Sequence, residues 1–230
     1  MMKPFKELSE DRQLEIVENS MGDDWHESII EDIKAELEEL GISEPDIQFS
    51  GFWSQGDGAS FTCDGVDLIR LMKEIPMDFQ SEQMEAANGG VRTMVALLGW
   101  DAVGVKRPVL DLILEDENRD LITCSIWRSS HRYVHENTVD LGLELASHWC
   151  TGDYPEERDL DEWIFLPEDV SELNAFVEWL EPRLEEWLKD KCREIYGRLE
   201  EEYNNYQEGI MEDLMEENSE WSDTSNSRYY

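Results

Sequence analysis

The segment Ser50–Phe61 reads Ser-Gly-Phe-Trp-Ser-Gln-Gly-Asp-Gly-Ala-Ser-Phe, small polar residues and glycines set between bulky aromatics. A strand that only had to pack would alternate apolar and polar side chains without interrupting itself with Gly56-Asp57-Gly58. The pattern predicts a strand, a tight turn made possible by glycine and a second strand, with Gln55 and Asp57 displayed at the bend. That requirement commits part of the chain to antiparallel β structure.

The 230 residues suffice for one large domain or two small ones, and nine Trp, seven Phe and seven Tyr supply the bodies of a core. No run of about 18 apolar residues predicts a membrane helix. Met1 to Lys6 leads directly into Glu7 and Asp11 without an apolar stretch, so no secretory signal is expected and the reading is cytoplasmic, in a host cell. Cys63, Cys124, Cys150 and Cys192 form no C-x-x-C pair and read as buried, reduced thiols. Neither a metal nor a cofactor is expected.

The formal charge of −37 is not confined to a tail. Residues 1–46 carry 15 acids against 4 bases, 47–167 carry 22 against 9, and 168–221 carry 18 against 5. Self-repulsion of this kind opposes compaction, so it serves solubility, salt tolerance or a partner. Duplex DNA carries one charge per about 1.7 Å of its axis, and helices with carboxylates on successive turns approach that line density. The same field repels phosphate chains, which argues against direct nucleic-acid binding.

Along the chain, 7–20 predicts a short helix. A second runs to Leu40, with Trp25, Ile29, Ile30, Ile33, Leu37 and Leu40 on one face and Gly41 at its C-terminal left-handed position. The hairpin follows at 46–63, and helical segments are expected within 66–74 and 78–99. Strands are predicted at 109–114, 121–128 and 133–141, a loop at 151–162, and a long helical region from Pro167 to about Met215 with a possible kink at Pro182. The expected fold is α+β: an antiparallel sheet of about five strands with flanking helices and a long acidic C-terminal helical region. The domain reading is a core over 1–166, a helical region over 167–215 packed on the core or on a partner, and a disordered tail over 216–230.

Two segments carry the candidate chemistry. The first contributes Trp53, Ser54, Gln55, Asp57 and Ser60. Asp57 is the only acid between Ile47 and Cys63, so it either braces the turn through backbone amides or acts as a base, metal ligand or ligand contact. The second, Trp127 to Thr138, contributes Arg128, Ser130, His131, Tyr133, His135 and Glu136. No acid occurs from Leu121 to His135, so the arginines make a positive island in an acidic chain. If extended, this segment places His131 and His135 about 13 Å apart, too far to share a metal; on a helix they could share one. No glycine-rich phosphate loop, G-x-S-x-G elbow or Cys–His signature is present.

Phe49 to Phe61, with the Trp25 helix and Gly41 upstream and Trp127 to Thr138 downstream, resembles an uncharacterised family encoded mainly by bacteriophages and mobile elements. Its members carry a segment close to F-S-G-F-W-S-Q-G-D-G-A-S-F. The resemblance covers 23–63 and 121–141, and implies a viral or mobile-element origin and a shared site at the hairpin. The acidic C-terminal region departs from it. Two functions follow as expectations. One is a non-catalytic inhibitor that mimics nucleic-acid charge to occupy a basic, nucleic-acid-binding host protein such as a defence enzyme, with homodimerisation through the C-terminal helix as an option. The other is a small-molecule-binding protein or hydrolase using Gln55 and Asp57 with Arg128, His131 and His135.

Overall fold

A computed structural model describes residues 2–68, 70–71, 122–129, 133–145, 167–217 and 220–222. The fold is α+β. Its elements are β1 (Met2–Pro4), α1 (Glu10–Ser20), α2 (Glu27–Glu39), β2 (Ile42–Ser43), β3 (Asp46–Phe49), β4 (Ala59–Thr62), β5 (Gly65–Val66), β6 (Ile122–Arg128), β7 (Val139–Leu145), α3 (Pro167–Glu216) and β8 (Glu220–Ser222). The chain divides into two compact units: residues 1–33 with 195–230, and residues 34–194. The division falls within α2 and α3, so each helix supplies residues to both.

The first unit is built on α1 and the C-terminal part of α3. Glu10 and Asp11 occupy the first turn of α1, where carboxylates favour the positive end of the helix dipole. Ile16 and Val17 bury one face of α1 together with Phe5, Leu8 and Leu214, and Ile210, Met211 and Trp221 pack around them. The two ends of the chain meet here. β1 pairs antiparallel with β8, Met2 opposite Ser222 and Pro4 opposite Glu220, and Arg12 Nε donates to the Ser222 carbonyl at 3.1 Å. Glu220–Ser222, read from sequence as part of a disordered tail, thus forms a strand, because its Trp221 joins the apolar cluster.

In the second unit α2 ends as its sequence predicts. Gly41 has φ +92°, the left-handed conformation that a side chain disfavours, and its N–H donates to the Glu38 carbonyl at 3.0 Å. The expected helix at 66–74 is described only at its start, where Asp67 Oδ1 accepts the Arg70 amide at 3.0 Å. The strands form three antiparallel pairs, β2–β5, β3–β4 and β6–β7. β6 alternates Ile122, Cys124 and Ile126 inward with Thr123, Ser125 and Trp127 outward, the period-2 signature of a strand with one buried face. Opposite it Val139, Leu141 and Leu143 are buried. Leu180, Leu184, Leu188 and Cys192 of α3 bury at a four-residue spacing, and Glu181 Oε1 accepts the Leu143 amide at 3.2 Å, holding α3 against β7.

Two expectations change. The single sheet of about five strands is, among the described residues, a set of separate two-stranded ladders. The turn at Asp64, whose amide donates to the Ser43 carbonyl at 3.1 Å, ends β4 and redirects the chain into a different pairing. The strand expected at 133–141 begins only at Val139. Glu136–Thr138 form a 3-10 turn because Thr138 Oγ1 accepts the His135 amide at 3.3 Å, a local bond that competes with a ladder. α3 runs through Pro182 as one helix. The segments expected at 78–99, 109–114 and 151–162 lie outside the described residues.

Candidate functional site

The hairpin opens wider than a tight turn. β3 and β4 pair Asp46 with Thr62 through Phe49 with Ala59, and residues 50–58 form the loop between them. Ser50 and Gly58 close its neck. The Ser50 amide donates to the Gly58 carbonyl at 3.0 Å, and Ser50 Oγ accepts the Gly58 amide at 2.9 Å. Asp57 braces the interior: its Oδ2 accepts the Trp53 amide at 2.9 Å and the Ser54 amide at 2.6 Å, while its own amide donates to the Ser54 carbonyl at 3.1 Å. Asp57 Oδ2 thus makes the turn brace that one of the two sequence readings expects. The brace holds Trp53 out at 74% exposure, beside exposed Ser54 and Gln55, while Phe52 stacks on Phe49 with ring centroids 6.2 Å apart.

The two candidate segments meet. A Cβ on Gly58 would lie 3.0 Å from His135 Cα and 3.1 Å from the Val134 carbonyl oxygen, so only glycine lets the loop neck sit this close to the β6–β7 connection. Tyr133 projects there at 52% exposure. Arg128, at the end of β6, donates from one terminal nitrogen to Gln48 Oε1 on β3 and from the other to the Tyr133 carbonyl at 3.0 Å. One guanidinium therefore ties β3 to the connection.

His135 faces Glu136, whose Oε2 lies 2.7 Å from Nδ1. The Asn137 amide points at the same nitrogen from 3.2 Å. Nδ1 cannot both donate to the carboxylate and accept from the amide. The role of Nδ1 follows the tautomer: it accepts from the Asn137 amide when unprotonated and donates to Glu136 when protonated. Glu136 Oε1 in turn lies 3.5 Å from Arg193 Nε of α3, and Arg193 also pairs with Asp190. This chain orients the imidazole and neutralises Glu136. It supplies no nucleophile, because no serine or cysteine among the described residues is hydrogen-bonded to His135.

Ser60 takes a different place from the exposed loop residues. It is fully buried in β4, opposite Gln48, and its Oγ has no hydrogen-bond partner among the described residues. Ser130 and His131 lie outside the described residues. The thiols behind the site are shielded: burial pushes Cys124 and Cys192 up to about 12, and burial also raises Cys63. A thiol so protonated is a poor nucleophile and a poor metal ligand. Among the described residues no three His, Cys, Asp or Glu side chains are grouped to share an ion.

Sequence reading missed Gln48, Ser50, Gly58 and Arg193. Gly58 carried a signal, since a glycine one residue before a buried strand marks a close backbone approach. The other three matter only through partners 8 to 80 residues away.

The architecture is thus that of an α+β domain whose polar residues brace a projecting aromatic loop. The chain belongs to the family described as a domain of unknown function (DUF8835), whose model matches residues 25–208. No curated protein matches the chain, and no solved structure does. The match continues through α3 to residue 208, so most of this helix is part of the family's domain and not a departure from it. No helix among the described residues is long and apolar enough to cross a membrane.

Proposed function

We propose that this protein is a non-catalytic acidic interaction protein that occupies the basic, nucleic-acid-binding surface of a partner. The charge density of the first unit carries the reading. Residues 1–33 and 195–230 hold 20 acids against 5 bases, a net −15 over 69 residues. From Ile195 to Glu216, α3 displays seven carboxylates, one per about 5 Å at 1.5 Å rise per residue. Alone it falls short of the one charge per about 3.4 Å of a single DNA strand. α1 packs against it through Ile16 and Val17 and adds Glu10, Asp11 and Glu18, one per about 5.5 Å, while Glu15 pairs with Arg12. Side by side, the two helices approach the spacing of a duplex.

The bracing role of Asp57 and the absence, among the described residues, of a serine or cysteine hydrogen-bonded to His135 favour this reading over a hydrolase. The sequence resemblance to phage and mobile-element proteins makes a host defence or nucleic-acid-processing enzyme in the host cytoplasm the partner class, with dimerisation through α3 as one mode of presentation. The test is capture from a bacterial lysate on immobilised protein, followed by elution with moderate salt or with duplex DNA. A DNA- or RNA-acting protein released by both supports the reading, because counterions and DNA compete for the same basic surface. A partner that neither releases would sink it.

A further inference from the structure

Arg128 is half-buried in a chain with 56 acids, yet no carboxylate among the described residues pairs with it. Its hydrogen bonds go to two neutral oxygens, Gln48 Oε1 and the Tyr133 carbonyl, and its buried Nε has no partner among the described residues. A guanidinium whose Nε is cut off from water ordinarily finds a carboxylate or a phosphate, because neutral acceptors compensate only part of the solvation that a charged group loses. Charge supply is not the limitation here: Arg12, Lys191 and Arg193 all meet carboxylates.

The surroundings carry a second, independent sign. Ser60, wholly buried directly across the β3–β4 ladder from Gln48, has an Oγ without a partner among the described residues. Paired residues of an antiparallel ladder project to the same face. An unsatisfied hydroxyl therefore lies on the face where Gln48 meets the unsatisfied guanidinium. Gln48 itself is exposed and held by little. Its Nε2 donates to Asp46 Oδ2 at 2.9 Å, which turns its amide oxygen toward Arg128 and keeps the Asp46 carboxylate one group away.

We propose that Arg128 is the centre of an oxyanion-binding site in which the Gln48 amide oxygen is a placeholder. A carboxylate or a phosphate displaces Gln48 Oε1 and takes the guanidinium fork, for which its paired oxygens are the matching acceptor. The site is flanked by exposed Tyr133 and sits beside the Trp53 loop, so it selects an anionic group within a larger ligand that also meets aromatic surface. It is a binding site with no chemical step, and it is independent of the acidic helices of the first unit.

The test follows the Arg128 Nε–Hε resonance of the full-length protein by NMR during titration with sodium acetate or inorganic phosphate, with sodium chloride at matched ionic strength as the control. The expected result is a saturable shift with acetate, phosphate or both, distinct from chloride; the effective salt identifies the anion source. Gln48→Glu places a carboxylate at the placeholder position and is expected to weaken added-anion binding at least about tenfold, as an occupied fork requires. Arg128→Lys keeps the charge, loses the fork, and is read at the Tyr133 amide, where the saturable shift should vanish. A wild-type response no different from chloride overturns the proposal. So does a Gln48→Glu response equal to wild type; should that variant not fold, the Arg128→Lys titration decides in its place.

Discussion

The two units of this chain handle charge in opposite ways. The first, at net −15 over 69 residues, exposes carboxylates along its helices, Glu200, Glu201, Glu208 and Glu212 among them. The second, at net −22 over 161 residues, is more dilute and uses its charged groups as fasteners: Asp57 within its loop, Glu181 on the β7 backbone, Glu136 between His135 and Arg193. Self-repulsion in an exposed array costs little per group at physiological ionic strength, where screening acts over about 8 Å. A charge that holds two backbone amides of a loop is worth more, since hydrogen bonds to a charged acceptor are stronger than those to a neutral one. The contrast teaches that total charge says nothing about which carboxylates are structural.

The largest effect that would sharpen the contrast lies in the second unit's core. Phe61 is fully buried in β4, so Phe61→Ala should cost about 3–5 kcal/mol through lost burial and a cavity, read as a lowered urea midpoint. A loss below about 1 kcal/mol would show that this core is not packed around β4.

The next lies at alkaline pH. Cys124 and Cys192 are raised from 9.0 to about 12 in the folded protein by burial. A thiol acid with a raised folded value keeps its proton better when folded, so its stabilisation is full below pH 9 and is lost as pH rises from about 9 to 12. Urea midpoints should fall across that window, and less steeply in Cys124→Ala; an unchanged slope would place the alkaline sensitivity elsewhere.

Gly58→Ala should cost about 1–3 kcal/mol, because the new methyl meets His135 Cα at 3.0 Å and a carbonyl oxygen at 3.1 Å, both backbone atoms that yield poorly. A neutral outcome would mean that the loop neck and the connection separate freely in solution. Asp57→Ala should cost about 1–2 kcal/mol and accelerate hydrogen exchange at the Trp53 and Ser54 amides while leaving the β6–β7 amides protected.

Smallest of all, each of Glu200→Gln, Glu201→Gln, Glu208→Gln and Glu212→Gln should change stability by no more than about 0.5 kcal/mol. Together they should nevertheless weaken salt-dependent capture of a basic partner. Equal losses from the same number of neutralised carboxylates in the second unit would erase the distinction between the units.

Much of the local structure was legible in the sequence. The Ile33, Leu37 periodicity of α2, its stop at Gly41 and the alternation of 122–128 report the solvent-facing and core-facing sides of single elements, which local order records directly. The site was half legible. Trp53, Asp57, Arg128 and Tyr133 stand out by composition, but the choice for Asp57 between brace and base depends on where two amides point. Thr138 shows the limit from the other side: a β-branched residue suited to a strand caps a 3-10 turn, because its hydroxyl finds the His135 amide first.

The sequence by itself determined the acidity and its spread along the chain, the helices α1, α2 and α3, the alternation of β6 and the glycines that permit the loop. These follow from side-chain chemistry and from spacings of two to four residues. Only the tertiary structure decided that the chain ends pair as β1 and β8, that Gly58 rests on His135, and that Arg128 reaches Gln48 across 80 residues to find a neutral oxygen instead of a carboxylate. The reason is physical. Pairings between distant segments are chosen by burial and backbone hydrogen bonding summed over the whole unit, and no local pattern carries that sum.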